Sequence, residues 1–374
     1  MDFELTAEQE ALKDAVRALL KRSYDFDLVK RTLDGDQGWR TDVWQALRDM
    51  GVLGLTVGEE YGGAGAGPVE VAVVMGEIGR LHIPEPVLSC AFVPAEVIAR
   101  AGDHRQKETY LSAIAAGSSL GALAHEEEGD RWPHRRVATT ARPTADGYAL
   151  SGAKALVRHG DCADFLIVSA RCDGELALFV VDVSAEGVTR TPYRSHDGRR
   201  GAHVTFADAA AERLAAGDAA EVLRYAEVLE QVALCAEAVG AMDEALRMTT
   251  EYLTVRRQFG VPLSSFQALK HRAADLYVLV ELARSLTLYA TSVLEEGIAD
   301  VVVASRAKLQ VCRAARALGH EAIHLHGGIG VTDEHPIGHY ASRLMSIEQT
   351  LGGADDHLAA LASAVDEYET ITVG

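Results

Sequence analysis

Residues Glu251 to His271 read EYLTVRRQFGVPLSSFQALKH. The text up to Arg257 continues a helical pattern, Gly260 and Pro262 interrupt it, and Ser264 or Ser265 is placed to cap a second helix that starts near Phe266. Two helices therefore meet at a corner carrying two adjacent arginines. A guanidinium held at such a corner suits a phosphate, because its planar fork matches phosphate oxygens and keeps its charge at any accessible pH. The plainer alternative is that Arg256 and Arg257 are solvated surface charges, as most arginines are.

Outward from this stretch, the C-terminal third reads as long periodic segments over Ala220 to Arg257, Ser265 to Glu296, Asp300 to Gly328 and roughly Ile337 to Thr370, the last broken at Gly352-Gly353. Helices of that length with short breaks favour an antiparallel bundle. Before it, Tyr148 to Leu150, Asp164 to Ala170, Leu176 to Val183 and His203 to Phe206 are β-branched or aromatic runs bounded by turns such as Ala145-Asp146-Gly147, and predict short antiparallel strands. The text before about residue 120 is helical again. Thr6 with Gln9 forms a capping box ahead of Leu12, Val16, Leu19 and Leu20 on one face, and further helices fall at Asp42 to Met50 and Val69 to Leu81. The glycine-rich GVLGLTVGEEYGGAGAG from Gly51 to Gly67 lacks a Gly-Lys-Ser/Thr ending, so it reads as a flexible turn rather than a phosphate loop. The expected class is α+β, with a helical domain over 1–120, an antiparallel β domain over 121–215 and a four-helix bundle over 216–374.

The chain has 374 residues, 48% of them apolar, enough for several domains with a substantial core. No run of about 18 apolar residues free of charge predicts a membrane span, and the acidic start MDFELTAEQE is unlike a secretion signal, so a cytoplasmic protein is expected. The five cysteines are scattered without paired spacing, which argues against a disulfide framework or a zinc site. A net charge of −19 argues against nucleic-acid binding. Ala322 to Gly330, AIHLHGGIG, places a Gly-Gly at a helix end, where backbone can approach a ligand closely. Its His-x-His lies on different helix faces and has no completing carboxylate or Cys cluster, so no metal is expected.

VRRQFGVPLSSFQALKH, EEYGGAG and AIHLHGGIG together resemble the flavin-dependent acyl-CoA dehydrogenase family, and the resemblance runs over nearly the whole chain. It implies the same three-domain order and α,β-dehydrogenation of an acyl-CoA or related thioester to the trans-2-enoyl product. It also implies a FAD cofactor, a tetrameric assembly and electron-transfer flavoprotein or a similar acceptor. Carried over residue by residue, Arg256, Gln258 and Phe259 reach the pyrophosphate and adenine side of a neighbouring subunit's FAD, with Leu263 and Phe266 beside the adenine. His324 takes the position of the family's Gln in Gln-x-x-Gly-Gly, followed by Gly327 and Gly328 as backbone contacts.

In the family a carboxylate near the α carbon removes the α proton. The glutamate that most members place near the C-terminus falls on Leu351 here, with Glu348 three residues earlier. Other members take the base 26 residues before the motif arginine, which is Glu230. The resemblance thus makes Glu230 the candidate catalytic residue, against the plainer reading of a solvated helix carboxylate. The loop and strand that would hold the flavin ring depart from the family pattern: they read ALAHEEEGDRW and KALVRHGDCADF, with Leu156 at the usual tryptophan and Arg158 at the usual threonine. What remains serves a neighbour's FAD and what is lost serves the chain's own, a pattern that also resembles small subunits of pimeloyl-CoA-type dehydrogenases. Three functions stay open: a self-sufficient dehydrogenase in a homotetramer, a non-catalytic or half-site subunit of a heterotetramer with a related larger chain, and a flavin oxidase or monooxygenase on the same scaffold.

Overall fold

The computed structural model describes residues 4–129, 131–133 and 136–365. Helices α1 (Ala7–Ser23), α2 (Phe26–Asp34), α3 (Thr41–Asp49), α4 (Pro68–Arg80), α5 (Val93–Ala101) and α6 (His104–Ala115) come first. Strands β1 (Gly121–Ala124), β2 (Thr140–Thr144), β3 (Gly147–Arg158), β4 (Phe165–Cys172), β5 (Glu175–Asp182), β6 (Val188–Arg194) and β7 (Arg200–Arg213) follow. The chain then returns to helix in α7 (Ala219–Val255), turns through the two-residue strands β8 (Arg257–Gln258) and β9 (Val261–Pro262), and continues as α8 (Gln267–Glu295), α9 (Val301–His326), α10 (Pro336–Gln349) and α11 (Ala354–Ser363). The sequence pattern carries the last helical segment to Thr370; residues 366–370 lie outside the described ones.

The capping box at α1 forms as expected, with the Thr6 hydroxyl accepting from the Gln9 N–H and the Gln9 side chain accepting from the Thr6 N–H. The serines at the start of α8 behave differently. Ser264 and Ser265 lie in a single 3-10 turn, Leu263–Ser265, and the residue preceding α8 is Phe266, which makes no side-chain cap. The reason is the hairpin before it. Phe259 (φ 54°) and Gly260 (φ 82°) form a left-handed two-residue turn, and the Leu263 N–H then bonds the Arg256 carbonyl, so the chain is still folding back where a serine cap would have started the helix.

The β domain is mainly antiparallel, as expected, with two parallel pairings added. β5 pairs with both β4 and β7, closing the sheet on itself, while β1 and β2 run parallel to β4. Periodicity identifies strands but not the direction of pairing, and the long connections between these strands permit parallel crossovers. β3 and β7, 12 and 14 residues long, extend far beyond their β-branched centres because each supplies the other's ladder through Ala- and Gly-rich text, with register shifts at Leu150/Gly152 and Lys154/Val157. Leu150, Leu166, Val168, Phe179, Val181 and Val204 fill the interior as a core separate from that of the helices.

α7 is the spine. Its 37 residues pack against α4, α5, α8, α9 and α10. α8 is long and apolar enough by length and composition to cross a membrane, yet in the fold it packs on α7 and α9. α4 and α7 cross at backbone contact: a Cβ on Gly240 would lie 1.9 Å from the Gly76 carbonyl oxygen, and one on Gly79 would lie 1.9 Å from that of Glu237. Gly240→Ala is therefore expected to destabilise the fold by about 3 kcal/mol, the upper end of ordinary overpacking costs. Gly319→Ala in α9, whose Cβ would meet Ala341 at an ordinary 3.5 Å, should be neutral or stabilising. Denaturant midpoints of the two variants check this.

Candidate functional site

The middle of α7, the C-terminal end of β3, the turn after α4 and the end of α10 enclose a cavity of about 390 Å³. Glu230 and Leu351 both line it, so the two positions at which the family resemblance places a base face one space. Leu351 is buried and left-handed (φ 56°), and offers only an apolar side chain there. Glu348 is not among the lining residues. It is buried on another face, where Arg316 bonds its carboxylate and Lys308 donates to its backbone carbonyl at 3.1 Å, so it does not stand in for Glu230.

Glu230 is buried but not free. Arg158 Nε donates to its Oε1 at 2.7 Å and Nη2 to its Oε2 at 2.8 Å, a two-pronged ion pair, while Arg158 Nη1 donates to Glu126 at 2.9 Å. Burial alone would lower the Arg158 pKa, but the charges of Glu230 and Glu126 more than offset it and raise it. The arginine that replaces a flavin-binding threonine in the resemblance is thus a pin between the β domain and α7.

A second ionic group lies on the same cavity and was not anticipated from the sequence. Arg343 of α10 bonds both oxygens of Glu237 at 2.7 Å each and Asp197 at 2.9 Å, and Arg199 adds longer contacts to both acids and a bond to the Ile83 carbonyl at 2.8 Å. Burial would raise the Asp197 pKa, but Arg343 and Arg199 hold its carboxyl well below the usual range. The one sequence hint was Glu237 itself, a lone charge in the apolar VALCAEAVGAM. Glu85, in the turn after α4, is the cavity's third acidic feature. Its Oε1 accepts from the Tyr24 hydroxyl and from the Arg40 N–H at 3.3 Å, and its Oε2 is buried with no partner among the described residues.

Far along α7, a second cavity of about 600 Å³ opens where the β8–β9 hairpin meets the end of α9. Arg256, Gln258, Leu263, His324, Gly327 and Gly328 line it together, six positions drawn from two motifs some sixty residues apart in sequence. Phe259 and Phe266 do not line it. Phe259 projects from the hairpin tip, 91% exposed, and meets Phe266 edge to face with centroids 6.2 Å apart. Gly327 and Gly328 have nothing within 4 Å of where a Cβ would stand, which leaves open backbone facing the cavity. Arg256 makes no ion pair or side-chain hydrogen bond among the described residues. Arg272 of α8 also lines this cavity, and no motif signalled it.

These residues fit one part of a dinucleotide cofactor and not another. The second cavity offers cations and open backbone to a diphosphate. The first offers a flavin ring a β3 end already filled by a paired guanidinium, in a volume near the lower end for a single bound small molecule.

The chain belongs to the acyl-CoA dehydrogenase family, a family of oxidoreductases: residues 6–118, 122–209 and 221–364 match its N-terminal, middle and C-terminal domains. The acyl-CoA dehydrogenase FadE27 of Mycobacterium tuberculosis (strain ATCC 25618 / H37Rv) is 30% identical over 379 residues, covering 98% of this chain and 99% of that protein. Among solved structures, a variant of the Tcur3481-Tcur3483 steroid ACAD is 31% identical with a TM-score of 0.89, covering 96% of this chain and 98% of that one. The ChsE4-ChsE5 complex of Mycobacterium tuberculosis is 26% identical with a TM-score of 0.91, covering 99% and 100%.

Burial pushes the Glu85 pKa up from 4.5 to about 7, against the lowering effect of the Tyr24 and backbone hydrogen bonds. The native chain therefore holds this proton over a range in which the unfolded chain has released it, and stability at this site falls as pH rises from 4.5 to about 7. Glu85→Gln should flatten that slope and be relatively more stable above pH 7, as read from denaturation midpoints across pH.

Proposed function

We propose that this chain takes part in FAD-dependent α,β-dehydrogenation of an acyl-CoA thioester as one member of a mixed tetramer, where it completes a FAD site whose flavin ring is held by a related, larger subunit. The observation that carries this reading is the two-pronged bond from Arg158 to Glu230. A general base needs a carboxylate oxygen free to meet the α proton, and Arg158 occupies both oxygens of Glu230 with charge-assisted bonds. Distance supports a FAD site shared between subunits, whether or not they are identical. Glu230 and Arg256 are separated by 26 residues along α7 and its end, roughly 40 Å at 1.5 Å per helical residue. That is farther than an extended dinucleotide reaches, so the two cavities of one chain serve different cofactor molecules.

Bound FAD supplies the hydride acceptor for the substrate β carbon. The work of this chain's residues is binding. The Arg256 fork takes phosphate oxygens, Gln258 and His324 supply further polar contacts, and Gly327 and Gly328 let backbone approach. Leu263, Phe266 and the projecting Phe259 present apolar surface toward the adenine across the subunit interface. The two-component name of the ChsE4-ChsE5 complex supports a mixed assembly, and the steroid ACAD makes a polycyclic acyl-CoA the first substrate to try. Electron-transfer flavoprotein or a similar carrier is the expected acceptor.

A second reading keeps Glu230 as the base of a homotetramer, favoured by its place on the cavity beside Leu351. Visible spectra separate the two. Expressed alone, the chain should be colourless; co-expressed with a related larger subunit it should give a yellow complex, and Arg256→Ala in this chain should weaken FAD retention about tenfold or more. A yellow protein with one FAD per chain when expressed alone, losing flavin reduction by acyl-CoA on Glu230→Gln, would replace the first reading with the second.

A further inference from the structure

The second cavity is lined by Arg256, Arg272, His324 and His326, and by no aspartate or glutamate, in a chain of net charge −19. An acid close in sequence to His324 is turned aside. Glu321, one helical turn before His324, bonds Arg272 Nε at 2.6 Å. Arg272 Nη2, which also contacts the Glu321 carboxylate, approaches His324 Nδ1 at 3.2 Å. Guanidinium nitrogens only donate, so Nδ1 must accept, and the ring proton of His324 then sits on Nε2. Nε2 has no partner among the described residues, and His324 lines the cavity.

We infer that Arg272 is a positioning residue of the diphosphate site: held by Glu321, it fixes His324 in the tautomer whose Nε2–H donates to an acceptor oxygen of a nucleoside diphosphate. The inference rests on the reading that the Arg256 face takes the diphosphate half of a dinucleotide. A glutamine at the His324 position would carry its N–H whatever its neighbour. A histidine does so only if its other nitrogen is occupied; otherwise it can turn a bare lone pair toward phosphate oxygens and be repelled. Arg272, its charge answered by Glu321, removes that choice.

The test uses the purified full-length chain, with ADP as probe in calorimetry at low ionic strength and ¹⁵N-histidine NMR, the His324 signals being assigned by their loss in His324→Gln. The expected spectrum has a proton-free Nδ1 and a protonated Nε2 in the unliganded protein, changing to a mixture of tautomers in Arg272→Met. Arg256→Ala and Arg272→Met should each weaken ADP about tenfold, the worth of one charge-assisted hydrogen bond. In the His324→Gln background, Arg272→Met should cost no more than about twofold, a non-additivity that a merely structural or bare-charge role does not produce. Arg272→Lys, which keeps a donor, should restore most of the binding. A protonated Nδ1 in the wild type, or equal losses from Arg272→Met in both backgrounds, overturns the role of Arg272 and leaves the Arg256 reading intact. ADP binding that survives Arg256→Ala, or is absent from the wild type, overturns the Arg256 reading, while the tautomer spectrum decides the Arg272 inference separately.

Discussion

Everything functional in this chain hangs on the backbone-to-backbone crossing of α4 and α7. Gly76, Gly79 and Gly240 bring the two helices close enough that a single methyl group at Gly79 or Gly240 would strike a carbonyl oxygen. The crossing fixes the rotation of α7, and rotation decides which face of a helix buried nearly all round turns Glu230 and Glu237 into the first cavity. From the same helix the chain runs directly into Arg256 and the hairpin, so one rigid element sets the orientation of both sites and keeps them apart.

The two sites are opposites in electrostatic design. In the first, each buried acid except Glu85 is answered by an arginine: Arg158 takes Glu230 and Glu126, while Arg343 and Arg199 take Glu237 and Asp197. Such pairs offset most of the cost of burying their charges and hold the β domain to the bundle, but they leave little reactivity unspent. In the second, the lining acids are absent, Glu321 is engaged by Arg272, and Arg256 is left unpaired among the described residues. Charge that satisfies itself is structural; charge left open in an acidic protein invites an anion.

The motif around Arg256 was legible because its features are local: an Arg-rich helix end, a Phe-Gly turn and a restarted helix lie within about twenty residues. The break between helical and β text was legible for the same reason, since periodicity changes within one turn of chain. The closing of the sheet was not, because the pairing of β5 with both β4 and β7 is a property of strands distant in sequence. Nor was the pairing of Arg158 with Glu230, 72 residues apart. Read alone, Arg158 is an isolated strand-end cation and Glu230 a candidate base; only together do they neutralise each other.

By itself, then, the sequence determined the family and the order of helical, β and bundle text, and pointed to six of the residues that line the second cavity, since short-range pattern and turn chemistry encode these directly. The tertiary structure decided which charges remain available. Whether an arginine stands open to a ligand, as at Arg256, or is a structural pin, as at Arg158, depends on what the fold places within hydrogen-bond reach of it, and no spacing along the chain records that distance.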